Sequence, residues 1–182
     1  MSQHTYMSSI DYINNLIFDY VETYSFQQGI LFEETIKNIR TEYLNLMVRK
    51  ENQNDLTSQE KERFLELQDH MVSGGYLIDG KGHFHPSSTR THTLKSTDPL
   101  INRLKTILQT EIKDVPGWMC APMYRDAFVF YDSSNRIVST LNVCLGCEYM
   151  ETKMFNHIDG DNETYNLLRQ FFIDLGHEIE DK

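Results

Sequence analysis

The spacing of apolar residues changes along this chain from the period of a helix to the alternation of a strand, and that change limits the folds it can adopt. Helical spacing is expected in four early segments: residues 9–27, 32–50, 57–73 and 99–112. From Ala127 to Tyr131 and from Ile137 to Cys144 the pattern has period two, with Asp132–Asn135 as the turn. A last helix is expected after Asp161. This order predicts an α+β fold with N-terminal helices, an antiparallel β-meander and a C-terminal helix packed on the sheet.

The first helices suggest a division of the chain. Thr57 followed by Glu60 matches a capping box and marks the start of the third helix. We therefore expect a helical arm or bundle over residues 1–75 and an α+β domain over residues 76–182, joined in one compact unit. Within the second part, residues 76–78 and 148–154 are expected to be short strands, and residues 86–97, which are rich in serine and threonine, a loop.

Composition and charge exclude several classes of protein. The 182 residues are 40% hydrophobic and 24% charged, which is a globular rather than a disordered composition. The net charge of -10 disfavours non-specific binding to nucleic acid or to an anionic membrane and suits a basic protein partner, although acidity also serves solubility alone. No apolar run approaches the ~18 residues of a membrane span, and no secretory signal is visible. A cytoplasmic location is expected.

The three cysteines form the chain's clearest candidate for a chemical site. Cys144 and Cys147 form a Cys-x-x-Cys pair at the end of a predicted strand, and a hairpin can bring Cys120 close to them. Three thiolates suit zinc, with His157, His177 or an open position as the fourth ligand. In a reducing compartment free thiols are expected rather than a disulfide. Two alternatives are buried cysteines that act as small apolar groups and a redox pair, although a strand after Cys147 disfavours a thioredoxin-type site.

A basic segment stands out in this acidic chain. No acidic residue lies between Asp79 and Asp98, while three basic residues and three histidines do. Because binding residues often collect on loops, four side chains are expected to contact a partner: His83, His85, Arg90 and His92. The alternative is an exposed polar loop without such a role. Nucleic-acid contact through Lys81, Arg90 and Lys95 is a third interpretation, which the overall charge disfavours.

The cysteine region resembles a known pattern. The segments 120–127, 128–132 and 143–147 are similar to those of uncharacterised bacterial proteins that combine a Cys-x-Pro-Arg-like segment, a Phe-Tyr-Asp strand and a terminal Cys-x-x-Cys. In this chain Met123 and Tyr124 separate Pro122 from Arg125, which departs from the pattern. The resemblance covers about residues 120–150. It implies only that the three cysteines act together.

The motifs of common enzyme classes are absent from the sequence. There is no phosphate-binding glycine loop, no nucleotide fingerprint and no His-Glu-x-x-His helix. We therefore expect a bacterial or phage protein that binds another macromolecule, of the immunity, inhibitor or anti-defence type, rather than an enzyme. The alternative is a metal-dependent or thiol enzyme that uses Cys120, Cys144 and Cys147, with His157 or His177 and Arg125 assisting.

Overall fold

In the part of the chain that the structure describes, seven strands form one mixed sheet. The structure, a computed structural model, describes residues 5–51, 56–73, 75–117, 121–152 and 156–179. The strands are β1 (Thr5–Ser8), β2 (Tyr20–Ser25), β3 (Thr89–Lys95), β4 (Asp126–Tyr131), β5 (Ile137–Cys144), β6 (Tyr149–Glu151) and β7 (Asn156–Asp159). The helices are α1 (Ser9–Asn15), α2 (Ile30–Glu51), α3 (Ser58–Ser73), α4 (Pro99–Leu108) and α5 (Asn162–Asp174).

The sheet confirms the α+β class but corrects the expected meander. Its strand order is β1-β7-β6-β5-β4-β2-β3. All neighbours are antiparallel except β1 and β7, which run parallel and pair Thr5 with Asn156 and Ser8 with Asp159. The sheet is therefore mixed. A pairing between segments about 150 residues apart leaves no local signal in the sequence, and the antiparallel prediction was wrong for that reason.

Residues 9–27 do not form the single helix expected of them. Helix α1 ends at Asn15, and β2 then lies between β3 and β4 inside the sheet. Its residues Val21 and Thr23 are buried, because α1 and α4 cover this face of the strand. The segment expected to be a loop over residues 86–97 contains β3, where alternating threonines suit a strand at the sheet's edge. Both β1 and β2 thus share a sheet with the strands after residue 76.

Helices α1, α4 and α5 cover the first face of the sheet. Phe128 lies at the centre of this core, with its ring stacked on that of Phe172 from α5 at 4.8 Å. Asp98 and Asp161 accept hydrogen bonds from backbone amides at the starts of α4 and α5, as expected of N-terminal caps. These caps define where the two helices begin.

The second face of the sheet is covered by irregular chain rather than by helices. Leu77, Ile78 and Tyr124 pack there on Ala127 and Val129 of β4. Many of the other side chains on this face are polar or tyrosine, a set spread over five strands: Tyr20, Glu22, Tyr24, Tyr131, Thr140, Asn142, Tyr149, Glu151 and His157. This face therefore carries buried hydrogen-bond networks.

Helices α2 and α3 form a hairpin with a small core of its own, which we call the helical arm. Four buried apolar side chains make that core: Leu46, Leu56, Phe64 and Leu67. They belong to neither of the two sheet cores. The predicted capping box is confirmed, since Thr57 Oγ1 accepts a hydrogen bond from the Glu60 amide and a Glu60 carboxylate oxygen accepts one from the Thr57 amide at 2.9 Å. Arg63 of α3 also donates two hydrogen bonds of 2.9 Å to the carboxylate of Glu42 in α2, which joins the two helices.

Candidate functional site

Only one of the two described cysteines is the free thiol that was expected. Cys144 is a free, buried thiol at the end of β5. Cys147 is disulfide-bonded, and its sulfur lies 3.8 Å from the carbonyl oxygen of Ala121. The turn over residues 145–148 brings it there. Cys120 lies outside the described residues. A disulfide-bonded sulfur is no thiolate ligand, so zinc binding by all three cysteines requires the reduced protein and stays a prediction.

The two histidines predicted as zinc ligands lie on opposite faces of the sheet. His157 is on the second face, where its Nε2 pairs with Asp159 at 2.9 Å and its ring packs against Tyr149. Strand β6 separates it from Cys144. His177 packs on the first face against Phe172. Within the described part of the chain, no three His, Cys, Asp or Glu side chains are grouped so that they could hold a metal ion.

His177 belongs instead to a buried hydrogen-bonded chain. Its Nδ1 lies 2.6 Å from Asp126 Oδ1, and its Nε2 lies 2.7 Å from the hydroxyl of Thr91. Thr91 continues the chain to Thr23, with 2.6 Å between the two hydroxyl oxygens and 3.1 Å to the Thr23 carbonyl oxygen. Burial raises the pKa of Asp126, and His177, Arg125 and Arg169 oppose that rise.

The order of hydroxyl, imidazole and carboxylate resembles that of a nucleophile-activating triad. Here, however, the hydroxyl of Thr91 is shared between His177 and Thr23, and the side chain of His177 is fully buried. The chain ties the segment after α5 to strands β2, β3 and β4. We therefore interpret it as a structural lock rather than as a catalytic group.

A carboxylate is also buried under the second face. Glu151 accepts hydrogen bonds from the hydroxyl groups of Tyr76 at 2.7 Å and Tyr124 at 2.5 Å. Beside it, the side-chain nitrogen of Asn142 donates a hydrogen bond to the backbone carbonyl of Glu151. The side-chain oxygen of Asn142 accepts one from the backbone amide of Leu77. Burial raises the pKa of both tyrosines, and their bonds to Glu151 raise it further. These contacts fix the covering segments around residues 76 and 124 to the sheet.

A second carboxylate lies near the other end of this face, at the border of an open cleft. Glu22 accepts hydrogen bonds from the hydroxyl of Tyr24 and from the guanidinium of Arg90, both at 2.7 Å. The ring of Tyr131 stacks on that of Tyr20 at 4.7 Å. Burial alone would raise the pKa of Glu22, but hydrogen bonds from Tyr24, Arg90 and Tyr131 hold it below its ordinary value. The buried Glu22 is therefore charged and paired.

The lowered pKa of Glu22 predicts a loss of stability in acid. The folded protein holds a proton on Glu22 less readily than the unfolded chain, whose glutamate pKa is about 4.3. The stabilisation by Glu22 is therefore present above that pH and lost as the pH falls through the folded-state pKa. We expect Glu22→Gln to be less stable than the wild type at pH 7, with a difference that shrinks towards pH 3. Urea unfolding at several pH values measures this, with the exposed Glu34→Gln as the control.

The open cleft lies over β2 and β3 and has a volume of about 510 Å³. Its lining residues all carry a polar group, although most of the surface that they expose in the cleft is contributed by carbon atoms: Asp19, Tyr20, Glu22, Arg90, Thr93, Lys95, Ser96 and Thr97. Arg90 forms an ion pair with Glu22. Lys95 is exposed and makes no ion pair within the described residues. Asp19 also makes no ion pair among the described residues, so the cleft offers one lysine and one carboxylate without an ion pair beside several hydroxyl groups.

The four residues predicted to contact a partner do not lie together in the structure. His83 is exposed in a turn that Asp79 closes. His85 packs between the rings of Phe26 and Phe32 and bonds to Ser87. Only Arg90 and His92 share an element, the edge strand β3. The cleft residues Tyr20, Glu22 and Thr93 were missed, since nothing local marks strands that come together only in the sheet.

Comparison with protein-family models, curated proteins and solved structures gives no match. None of the described helices is long and apolar enough to cross a membrane.

Proposed function

We propose that this chain is a cytoplasmic protein that works by binding a protein partner, as immunity, inhibitor and anti-defence proteins do, and that the helical arm is its contact element. The observation that carries the proposal is the independence of the arm. Its buried core is separate from the two cores of the sheet, although Phe32 near the start of α2 packs against His85.

The surface of the arm supports a contact role. Leu44 and Val48 are 44% and 50% exposed and stand one turn apart on α2, and Leu65 of α3 is 63% exposed. Single exposed apolar residues are ordinary, but two that lie one turn apart on the surface of a helix form the arrangement used in helix-in-groove recognition. Burying two such side chains contributes about 1.5–3 kcal/mol each when they leave water completely.

Charge indicates the chemistry of the partner. The chain carries a net charge of -10, which attracts a basic protein and repels an acidic one. Two arginines of the arm, Arg49 and Arg63, are already paired with glutamates of the arm. The expected partner therefore has an apolar groove with a basic rim, and its association slows as salt is added.

We expect Leu44→Glu/Val48→Glu to weaken partner binding by roughly 30-fold or more, because two carboxylates would enter an apolar contact. Quantitative capture from lysate of the proposed bacterial or phage host, followed by mass spectrometry, compares this variant with the wild type. The matched control is Asn38→Glu/Asn45→Glu, which adds the same charge to exposed positions of the same helix.

The proposal is supported if the wild type and the control variant capture the same protein and Leu44→Glu/Val48→Glu does not. Equal capture by all three, or none by the wild type, would contradict the proposal. Light scattering covers self-association: a dimer that only Leu44→Glu/Val48→Glu dissociates would make the arm a contact between copies of this chain and would also overturn it.

A further inference from the structure

Strand β3 ends the sheet on the side away from β1. It pairs with β2 through residues 89–95, and no described strand pairs with its other edge. A strand at an edge presents unpaired amide and carbonyl groups along its length, which a strand from another chain can use. The β3 edge is therefore a surface for an added strand within the described fold.

The open cleft lies beside this edge and is lined in part by side chains of the same strand. Arg90, Thr93 and Lys95 of β3 all contribute to it. In strand-addition complexes the main chain supplies the hydrogen bonds, and pockets beside the edge select alternate side chains of the added strand. Recognition by strand addition needs an open strand edge and an adjoining cleft, and β3 offers both.

The charges of the cleft select among possible strands. Arg90 is neutralised by Glu22, so Lys95 is the cation that remains for a ligand. The segment that contains β3 has no acidic residue between Asp79 and Asp98, and the two carboxylates of the cleft come from the neighbouring segment: Glu22 of β2 is paired with Arg90, and Asp19 precedes β2. A strand added at the open edge of β3 therefore meets Lys95 on β3 itself. Charged residues on an edge also discourage pairing with strands that lack a complementary charge. The added strand should therefore carry a carboxylate that reaches Lys95.

From this edge and its cleft we infer a second binding site: β3 accepts an extended peptide segment of a partner protein, in which an acidic side chain enters the cleft and pairs with Lys95. This goes beyond the proposed role of the helical arm and does not depend on it. The hydroxyl groups of Thr93, Ser96 and Thr97 line the same cleft and are available to polar atoms of the peptide.

The test uses short synthetic peptides that alternate threonine and valine around one central residue. Fluorescence anisotropy compares a central glutamate with a central glutamine, and a third peptide has proline at alternate positions to remove amide donors. We expect the glutamate peptide to bind, the glutamine peptide to bind about 5-fold more weakly, and the proline peptide not to bind. Lys95→Glu should weaken the glutamate peptide about 10-fold, while Lys81→Glu, in the exposed turn, should leave it unchanged.

Amide hydrogen exchange identifies the site. Binding should slow the exchange of β3 amides and leave those of α2 unchanged, and Leu44→Glu/Val48→Glu should bind the peptide as the wild type does. The inference fails if the glutamate peptide does not bind, if Lys95→Glu binds it equally well, or if the proline peptide binds. It also fails if only a single-stranded oligonucleotide binds in a Lys95-dependent way. Because these readouts do not involve the arm, failure here is distinct from failure of the proposed function.

Discussion

Asp126→Ala is expected to lower the free energy of unfolding by about 1–3 kcal/mol, because it removes one partner of a buried hydrogen bond and leaves the other partner, the His177 imidazole, unsatisfied. Asp126 Oδ1 lies 2.6 Å from His177 Nδ1, and the two side chains are 3% and 0% exposed. Without the carboxylate the imidazole would keep a buried donor with no acceptor. Urea denaturation of the purified protein measures the change.

Two variants make this prediction specific. Asp126→Asn keeps an oxygen that can accept from the imidazole and should lose clearly less stability than Asp126→Ala. Asp114→Ala, at an exposed position, should stay within about 0.5 kcal/mol of the wild type. If Asp126→Ala proves as stable as Asp114→Ala, the chain from Asp126 to Thr23 is not the lock that holds the segment after α5.

Phe128→Ala should cost about 3–5 kcal/mol, because it leaves a cavity at the centre of the first core. Phe128 is completely buried, stacks on Phe172 and also contacts the ring of Phe171 at 6.0 Å between centroids. The lost aromatic packing adds to the lost burial. Calorimetric or urea unfolding gives the value.

The control for this core is Val138→Ala on β5, since Val138 is 41% exposed. It should change stability by no more than about 0.5 kcal/mol. Hydrogen exchange adds a second readout: Phe128→Ala should speed exchange in the sheet and α5 much more than in the helical arm, whose core is separate. Equal acceleration in the arm would contradict its independence.

The sequence predicted those elements whose signals are local. The turn over residues 132–135 closes the β4–β5 hairpin, and Asp98, Asp161 and Thr57 begin helices as their capping chemistry indicates. These features depend on neighbours a few residues away. They are therefore visible in the spacing of residue types alone.

The missed elements depend on distant partners. Val21 and Tyr24 fit a helical stripe as well as a strand, and the pairing of β2 with β3 and β4 decides between the two. The same holds at the candidate sites. His177 was predicted as a zinc ligand, and its partners Asp126 and Thr91 are 51 and 86 residues away. Lys95 and Glu22 come together through strand register, which no local spacing reveals.

The most direct test of the arm as the contact element is site-specific photo-cross-linking in cells. A photoreactive amino acid would replace Leu44 in α2 or, as the control, Val138 on the exposed side of β5. The account predicts that position 44 forms one discrete adduct with another protein and that position 138 does not form it. The same adduct from both positions, no adduct from position 44, or an adduct only with a second copy of this chain would contradict it.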